Sequence, residues 1–171
     1  IDAGKFLTEN NTLVDGVIYL WRATNSNDGA GQAYALADYI AYTKAGAAGY
    51  SAPTRGFNGF IASGQGFKVR ALAAGDVKFT NCMRVTTGNT QFYRTTENTT
   101  VVDRFKVNLS NANGVANQVL VAYLPETTLA YDNMYDAELL SVSPTKMYSI
   151  LDNDSKKLAI NARPSFATTD Q

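Results

Sequence analysis

The sequence predicts an all-β protein, an antiparallel two-sheet β-sandwich of jelly-roll type with one or two short helical turns. Three observations predict it. Segments of alternating apolar and polar residues recur roughly every ten to fifteen residues, the rhythm of short paired strands. Between them stand Gly, Asn, Asp and Ser clusters of the kind that close turns. No long stretch carries the 3.6-residue apolar repeat of an amphipathic helix. With 171 residues, 45% of them hydrophobic and including ten Tyr and eight Phe, the chain can fill one core and reads as a single domain, residues 1–171.

The clearest stretch runs from Gly56 to Ala71. Phe60, Ile61 and Ala62 lead into Ser63-Gly64-Gln65-Gly66, and Phe67, Val69 and Ala71 then alternate with Lys68 and Arg70, which predicts a β-hairpin with one solvated face. From the N-terminus, Ile1 to Thr8 sets Ala3, Phe6 and Leu7 on one helical face before Asn10-Asn11, which predicts a short helix on the sandwich edge. Leu13 to Arg22 reads as a strand with Val17, Tyr19 and Trp21 on one side and Ile18 and Leu20 on the other, so either both faces are buried or the outer one is aromatic. Asn25 to Gly31 is a polar loop. Leu36 to Thr43 scores as strand in preference to helix, and the Gly/Ala-rich run Lys44 to Gly59, turned by Pro53, reads as a long irregular loop.

Beyond the hairpin, Val77 to Thr80 is expected as a short strand after the turn Ala74-Gly75-Asp76, continued by Cys82 to Val85 past a bulge at Asn81. The lone Cys82 is therefore expected to be a buried, inert thiol. Gly88 to Thr100 is polar and Thr-rich. Arg104 to Leu109 and Gln118 to Leu124 alternate cleanly around Asn111-Ala112-Asn113-Gly114, a second hairpin that Pro125 ends. Tyr131 to Leu140 is a loop with a helical turn at Tyr135 to Leu140. The strands Met147 to Leu151 and Leu158 to Ala162, joined by a polar turn at Asp152 to Lys156, complete the chain.

Lys+Arg and Asp+Glu each number 15, so the formal charge is zero. Phosphate recognition needs a surplus of cations, so neither nucleic acid nor an anionic membrane is expected as a partner. There is no His, which removes the commonest general base and transition-metal ligand together. No apolar run approaches the length that spans a bilayer, so no membrane insertion is expected. Polarity comes from Asn, Thr, Ser and Gly, the dress of an extracellular β-protein. A chain that starts at Ile1 and stops after Ala167-Thr168-Thr169-Asp170-Gln171 reads as a piece of a longer exported protein.

Four phrases carry a family resemblance: Asp15-Gly16-Val17-Ile18-Tyr19-Leu20-Trp21, Ile61-Ala62-Ser63-Gly64-Gln65-Gly66-Phe67-Lys68-Val69, Asn81-Cys82-Met83-Arg84-Val85 and Tyr131-Asp132-Asn133-Met134-Tyr135-Asp136-Ala137. In this order the chain resembles the β-sandwich region near the C-terminus of large secreted and surface proteins of Bacteroidetes, often found just before a type IX secretion sorting domain. Adhesins and surface proteins of gliding bacteria are among them. The Gly-Asn-Pro-Tyr run that usually precedes the region is absent here, as is the sorting domain that follows it. The resemblance implies export to the outer cell surface and transfers no chemistry to particular residues.

Two constellations are candidate sites. Asp132 and Asp136 stand four apart, a spacing that can set two carboxylates on one side of a turn as calcium ligands or as an acid/base pair. Either Asn25-Asn27-Asp28 or Asp152-Asn153-Asp154 could add oxygen ligands, though neither carries the terminal Glu of a calcium loop. The plainer alternative is that both aspartates cap backbone N–H groups. Trp21, Tyr19, Tyr39, Tyr42 and Tyr50 can form a stacking platform for sugars, with Trp21, Tyr42 and Tyr50 as the ligand-binding candidates, or they can simply fill the space between sheets. Arg84 and Arg94 could clamp an acid, and nothing in the sequence unites Glu126 with Glu138. The expectation is a non-catalytic structural or adhesive module, with calcium as its one possible cofactor, meeting other surface proteins, neighbouring domains or extracellular polysaccharide. The alternatives are a carbohydrate-binding module attached to a secreted polysaccharide-degrading enzyme and, behind it, a metal-dependent hydrolase using the aspartates.

Overall fold

The structure, a computed structural model, describes residues 1–21, 39–49, 57–86, 103–110, 116–140, 146–152 and 154–165. The expected loop Asn25 to Gly31, the start of the strand at Leu36, Tyr50, Pro53, the polar segment Gly88 to Thr100 with Arg94, and the turn Asn111 to Gly114 lie outside the described residues. Strands dominate the described residues, and they form two sheets stacked as a sandwich.

Helix α1 (Ala3–Glu9) forms where the apolar spacing places it. The Asp2 carboxylate accepts from the Lys5 N–H as its N-cap, Ala3, Phe6 and Leu7 are buried, and Asn10 closes it. The four-stranded sheet has the order β3-β2-β1-β4, with β1 at Ile18–Trp21, β2 at Tyr39–Thr43, β3 at Gly46–Ala48 and β4 at Phe67–Lys68. Both faces of β1 are covered from Ile18 to Leu20, the first of the two alternatives its unbroken apolar run left open. Ile18, Leu20 and Ile40 pack under α1 with Phe57, Ile61 and Met83. Tyr19, Ala41 and Ala48 pack the other way, against Leu120, Ile160 and Ala162 of the second sheet.

That second sheet has the order β5-β6-β9-β7, with β8 also on β9. Its strands are β5 (Asp103–Ser110), β6 (Ala116–Tyr123), β7 (Ala137–Glu138), β8 (Ser149–Leu151) and β9 (Asp154–Arg163). The β5–β6 hairpin appears in the expected place, paired without a break from Asp103↔Tyr123 to Ser110↔Ala116. So does the β8–β9 pair, with β9 beginning earlier than expected. One pairing departs from the antiparallel expectation: β6 and β9 run parallel, Leu120 opposite Ile160. A parallel neighbour needs a crossover of roughly a dozen residues or more. Residues 124–152 supply one, which local turn signals do not reveal.

Three local expectations are corrected. Lys44 to Gly59 is not all loop: after the turn at Lys44-Ala45 the small residues of β3 pair with β2, because Ala and Gly let the two sheets approach closely. The Gly56–Ala71 stretch does turn at Ser63-Gly64, where Gly64 has φ +76°, but its arms part. Ile61 exchanges backbone hydrogen bonds with Ile1 and Phe60 bridges Asp2, whereas β4 joins β1. The segment from Val77 to Val85 is not strand. The buried Asn10 side chain takes the Lys78 N–H and C=O, the groups a neighbouring strand would use, and Asn81–Met83 forms a 3-10 turn. That turn buries Met83 and leaves Cys82 exposed, not buried as expected.

The sheets are fastened by the turn Asp132–Asp136; the helical turn expected at Tyr135 to Leu140 does not form, because Ala137 and Glu138 pair with β9 as strand β7. On the side of the four-stranded sheet, the Gly16 N–H donates to Asn133 Oδ1 (2.6 Å), the Lys44 N–H to the Met134 C=O (2.9 Å) and Thr43 Oγ1 to the Tyr135 C=O (2.8 Å). On the other side, the Ala162 N–H of β9 donates to Asp136 Oδ1 (2.7 Å). Met134 sits at φ +77°, a conformation that a bulky side chain enters at a cost and keeps when its surroundings over-determine it. Gly16 makes the fit possible, since a Cβ there would overlap Met134 N and Cα. Gly16→Ala is expected to lower stability by about 3 kcal/mol in urea denaturation, as overpacking against backbone does. A loss below about 0.5 kcal/mol would show that the turn yields freely.

Candidate functional site

The aromatic residues picked out in the sequence divide between two environments. Tyr42 turns into the core, its ring edge-on to Phe57 with centroids 5.0 Å apart, and burial, aided by the Asp2 charge, pushes its phenol pKa up. It is not the exposed platform residue that was expected. Tyr50 lies outside the described residues. Trp21, Tyr39 and Tyr19 come together. Trp21 ends β1 and Tyr39 begins β2, so antiparallel pairing sets them directly opposite on one face at one end of the sheet. There Trp21 keeps 43% of its surface exposed.

Strand β4 completes the site. Lys68 pairs with Tyr19 and Phe67 with Leu20, which carries Gln65, Gly66 and Lys68 alongside the rings. Together Tyr19, Trp21, Tyr39, Gln65, Gly66, Phe67 and Lys68 line an open groove of about 410 Å³. Lys68 Nζ donates to the Tyr39 hydroxyl (2.6 Å) and lies 4.7 Å from the centre of its ring, a cation–π contact. Gln65 Oε1 accepts from the Ala62 N–H (3.2 Å), which fixes the amide, while Gln65 Nε2 is buried without a hydrogen-bond partner.

Below the groove lies a polar cluster that the sequence did not point to. Buried Asp15 pairs with Arg70 (2.5 Å) and accepts from the Tyr131 hydroxyl (3.2 Å), and Arg70 reaches on to Glu138 of β7 (3.1 Å). Tyr19 donates its hydroxyl to the Glu138 C=O (3.0 Å). Burial first and the Asp15 charge second raise the pKa of both Tyr19 and Tyr131, so each phenol stays a donor. These residues are 55 to 119 positions apart where they bond, and no local spacing could have united them. Glu138 is held by Arg70, and Glu126 is exposed after β6.

Asp132 and Asp136 serve backbone donors. Asp132 accepts from the Thr128 N–H and hydroxyl. Asp136, fully buried, accepts from the Asp132 N–H (2.7 Å) and, across the sandwich, from Ala162. Asp154 of the other proposed ligand run is held by Lys156 (2.7 Å). Among the described residues no three His, Cys, Asp or Glu side chains gather as a metal site requires, and no helix is long and apolar enough to cross a membrane.

A family model described as a domain of unknown function, DUF8693, matches residues 1–171. The chain belongs to this family. No curated protein and no solved structure matches it. What this DUF8693 domain offers chemically is an aromatic shelf edged by the Lys68 ammonium. Flat rings take the CH-rich face of a sugar, and the polar rim can bond its hydroxyls.

The Asp136 environment has a pH signature. Burial raises its pKa from 3.8 to about 6 against the opposing pull of its two backbone donors. The folded protein then holds the proton more tightly than the unfolded chain, so this group's contribution is full below the ordinary carboxylate pKa and is lost as pH rises through about 6. Asp136→Asn, which can accept from one donor in place of two, is expected to cost about 1–3 kcal/mol at pH 7. That penalty should grow toward pH 4 in urea denaturation. A penalty that shrinks on acidification would mean that the backbone donors outweigh burial.

Proposed function

We propose that this domain is a non-catalytic adhesive module of an exported bacterial surface protein, and that the Trp21–Tyr39 groove is its contact surface for extracellular polysaccharide. The observation that carries the reading is Trp21, large and apolar yet 43% exposed, set opposite Tyr39 beside Lys68. A ring of that size with so much of its surface exposed beside polar groups suits stacking on a sugar better than it suits the core. The two-sheet frame keeps the shelf flat and ready, so little ordering opposes binding. The phrases shared with Bacteroidetes surface proteins support export and an extracellular setting. A module of this kind serves equally as an adhesin domain or as an appendage that holds a secreted polysaccharide-degrading enzyme on its substrate.

A second contact surface is favoured by one further observation. β5 is an edge strand on which Phe105, Val107 and Leu109 stay exposed in a row, a pattern that supports contact with a neighbouring domain or another surface protein.

Trp21→Ala tests the main reading. On a panel of immobilised polysaccharides the wild-type domain should retain at least one, and the variant should bind it about tenfold more weakly or worse, with the melting temperature unchanged. Equal retention of the two proteins would rule the groove out as the contact surface.

A further inference from the structure

We propose that the groove selects acidic polysaccharide, seating the carboxylate of a uronic acid residue on the Lys68 ammonium while the sugar ring stacks on Trp21. This rests on the glycan reading above and names the class of sugar.

The argument is one of donors without acceptors. Lys68 has three N–H groups; one is given to the Tyr39 hydroxyl, and no carboxylate among the described residues forms an ion pair with it. Among the described residues, Asp15 and Glu138, the acids whose charges act on Tyr19 of the groove, are both held by Arg70. The Tyr39 ring beneath the ammonium attracts the cation without cancelling its charge. Because the Tyr39 oxygen already accepts from Lys68, its own O–H is left to donate.

The polar rim therefore presents donors from two residues, Lys68 and Tyr39, beside one stacking ring. Neutral sugars offer hydroxyls that give as readily as they take, and so use such a rim poorly. A uronate offers two carboxylate oxygens that only accept, at the edge of a ring whose face can lie on Trp21. Acceptance by an ammonium makes those hydrogen bonds charge-assisted and sensitive to salt.

The test is calorimetric titration of the full chain with an oligogalacturonate and with a neutral gluco-oligosaccharide of the same length, at low and high salt. The oligogalacturonate should bind about tenfold more tightly at low salt, and the ratio should shrink at high salt. Lys68→Met should bring the ratio close to one, Lys68→Arg, which keeps the charge, should preserve it, and Trp21→Ala should weaken both ligands. Equal affinity for the two oligosaccharides, or a preference that survives Lys68→Met, overturns acidic selectivity while the glycan reading stands. Absence of binding to either by the wild-type chain overturns the glycan reading and this inference with it.

Discussion

The structure depends on one close approach, the backbone of Met134 against Gly16. Two sheets of a sandwich are held together mainly by apolar contact, which is strong but carries little directional information. Here much of the facing surface is small, with Ala41, Ala45 and Ala48 on one side and Ala122, Ala137 and Ala162 on the other, around the larger Val17, Tyr19, Leu120 and Ile160. Alanines permit tight stacking and do little to fix how the sheets are aligned. The Asp132–Asp136 turn supplies that alignment. It receives hydrogen bonds from Gly16, Thr43 and Lys44 on one side and from Ala162 on the other, so a slip of either sheet would strand buried polar groups. The Arg70 bridge from Asp15 to Glu138 ties the same two layers at a second point.

The groove follows from this alignment. With the sheets held in one position, the face of β1 that carries Val17 and Tyr19 is covered by the second sheet, and the same face runs out at Trp21. Alternation along the strand thus sends one row of side chains from core to surface within five residues, and it leaves Trp21 exposed and Tyr39 half-buried beside β4. A binding surface built on strand ends has the stiffness of the sheet. Its chemistry can be altered in the turn before β4 without disturbing the core.

Much of the fold could be read from periodicity. The β5–β6 and β8–β9 pairs, the short α1 and the double-sided burial of β1 all show as alternation or helical spacing in neighbouring residues. What could not be read depends on partners far away in the chain. Val77 to Val85 has strand-like residues, but Asn10 occupies the backbone groups of Lys78 and the chain folds into a 3-10 turn, which exposes Cys82. Phe60 to Ala62 has the pattern of a hairpin arm, yet the N-terminal residues claim it. The site was half legible. Trp21, Tyr19 and Tyr39 were picked out as aromatics on strands, whereas the fold brings Gln65 and Lys68 to them and takes Tyr42 away. The spacing of Asp132 and Asp136 marked a special turn without revealing that its carboxylates would be spent on backbone N–H groups.

The central claim, that this turn aligns the two sheets, is tested most directly by amide hydrogen exchange under native conditions. The Gly16, Lys44 and Ala162 amides, donors to the turn from both layers, should be strongly protected and should open together, with the protection of the β1 and β9 amides, as one cooperative unit. Exchange of Gly16 and Lys44 at the rate of an exposed loop, while β9 stays protected, would show that the sheets hold their alignment without the turn.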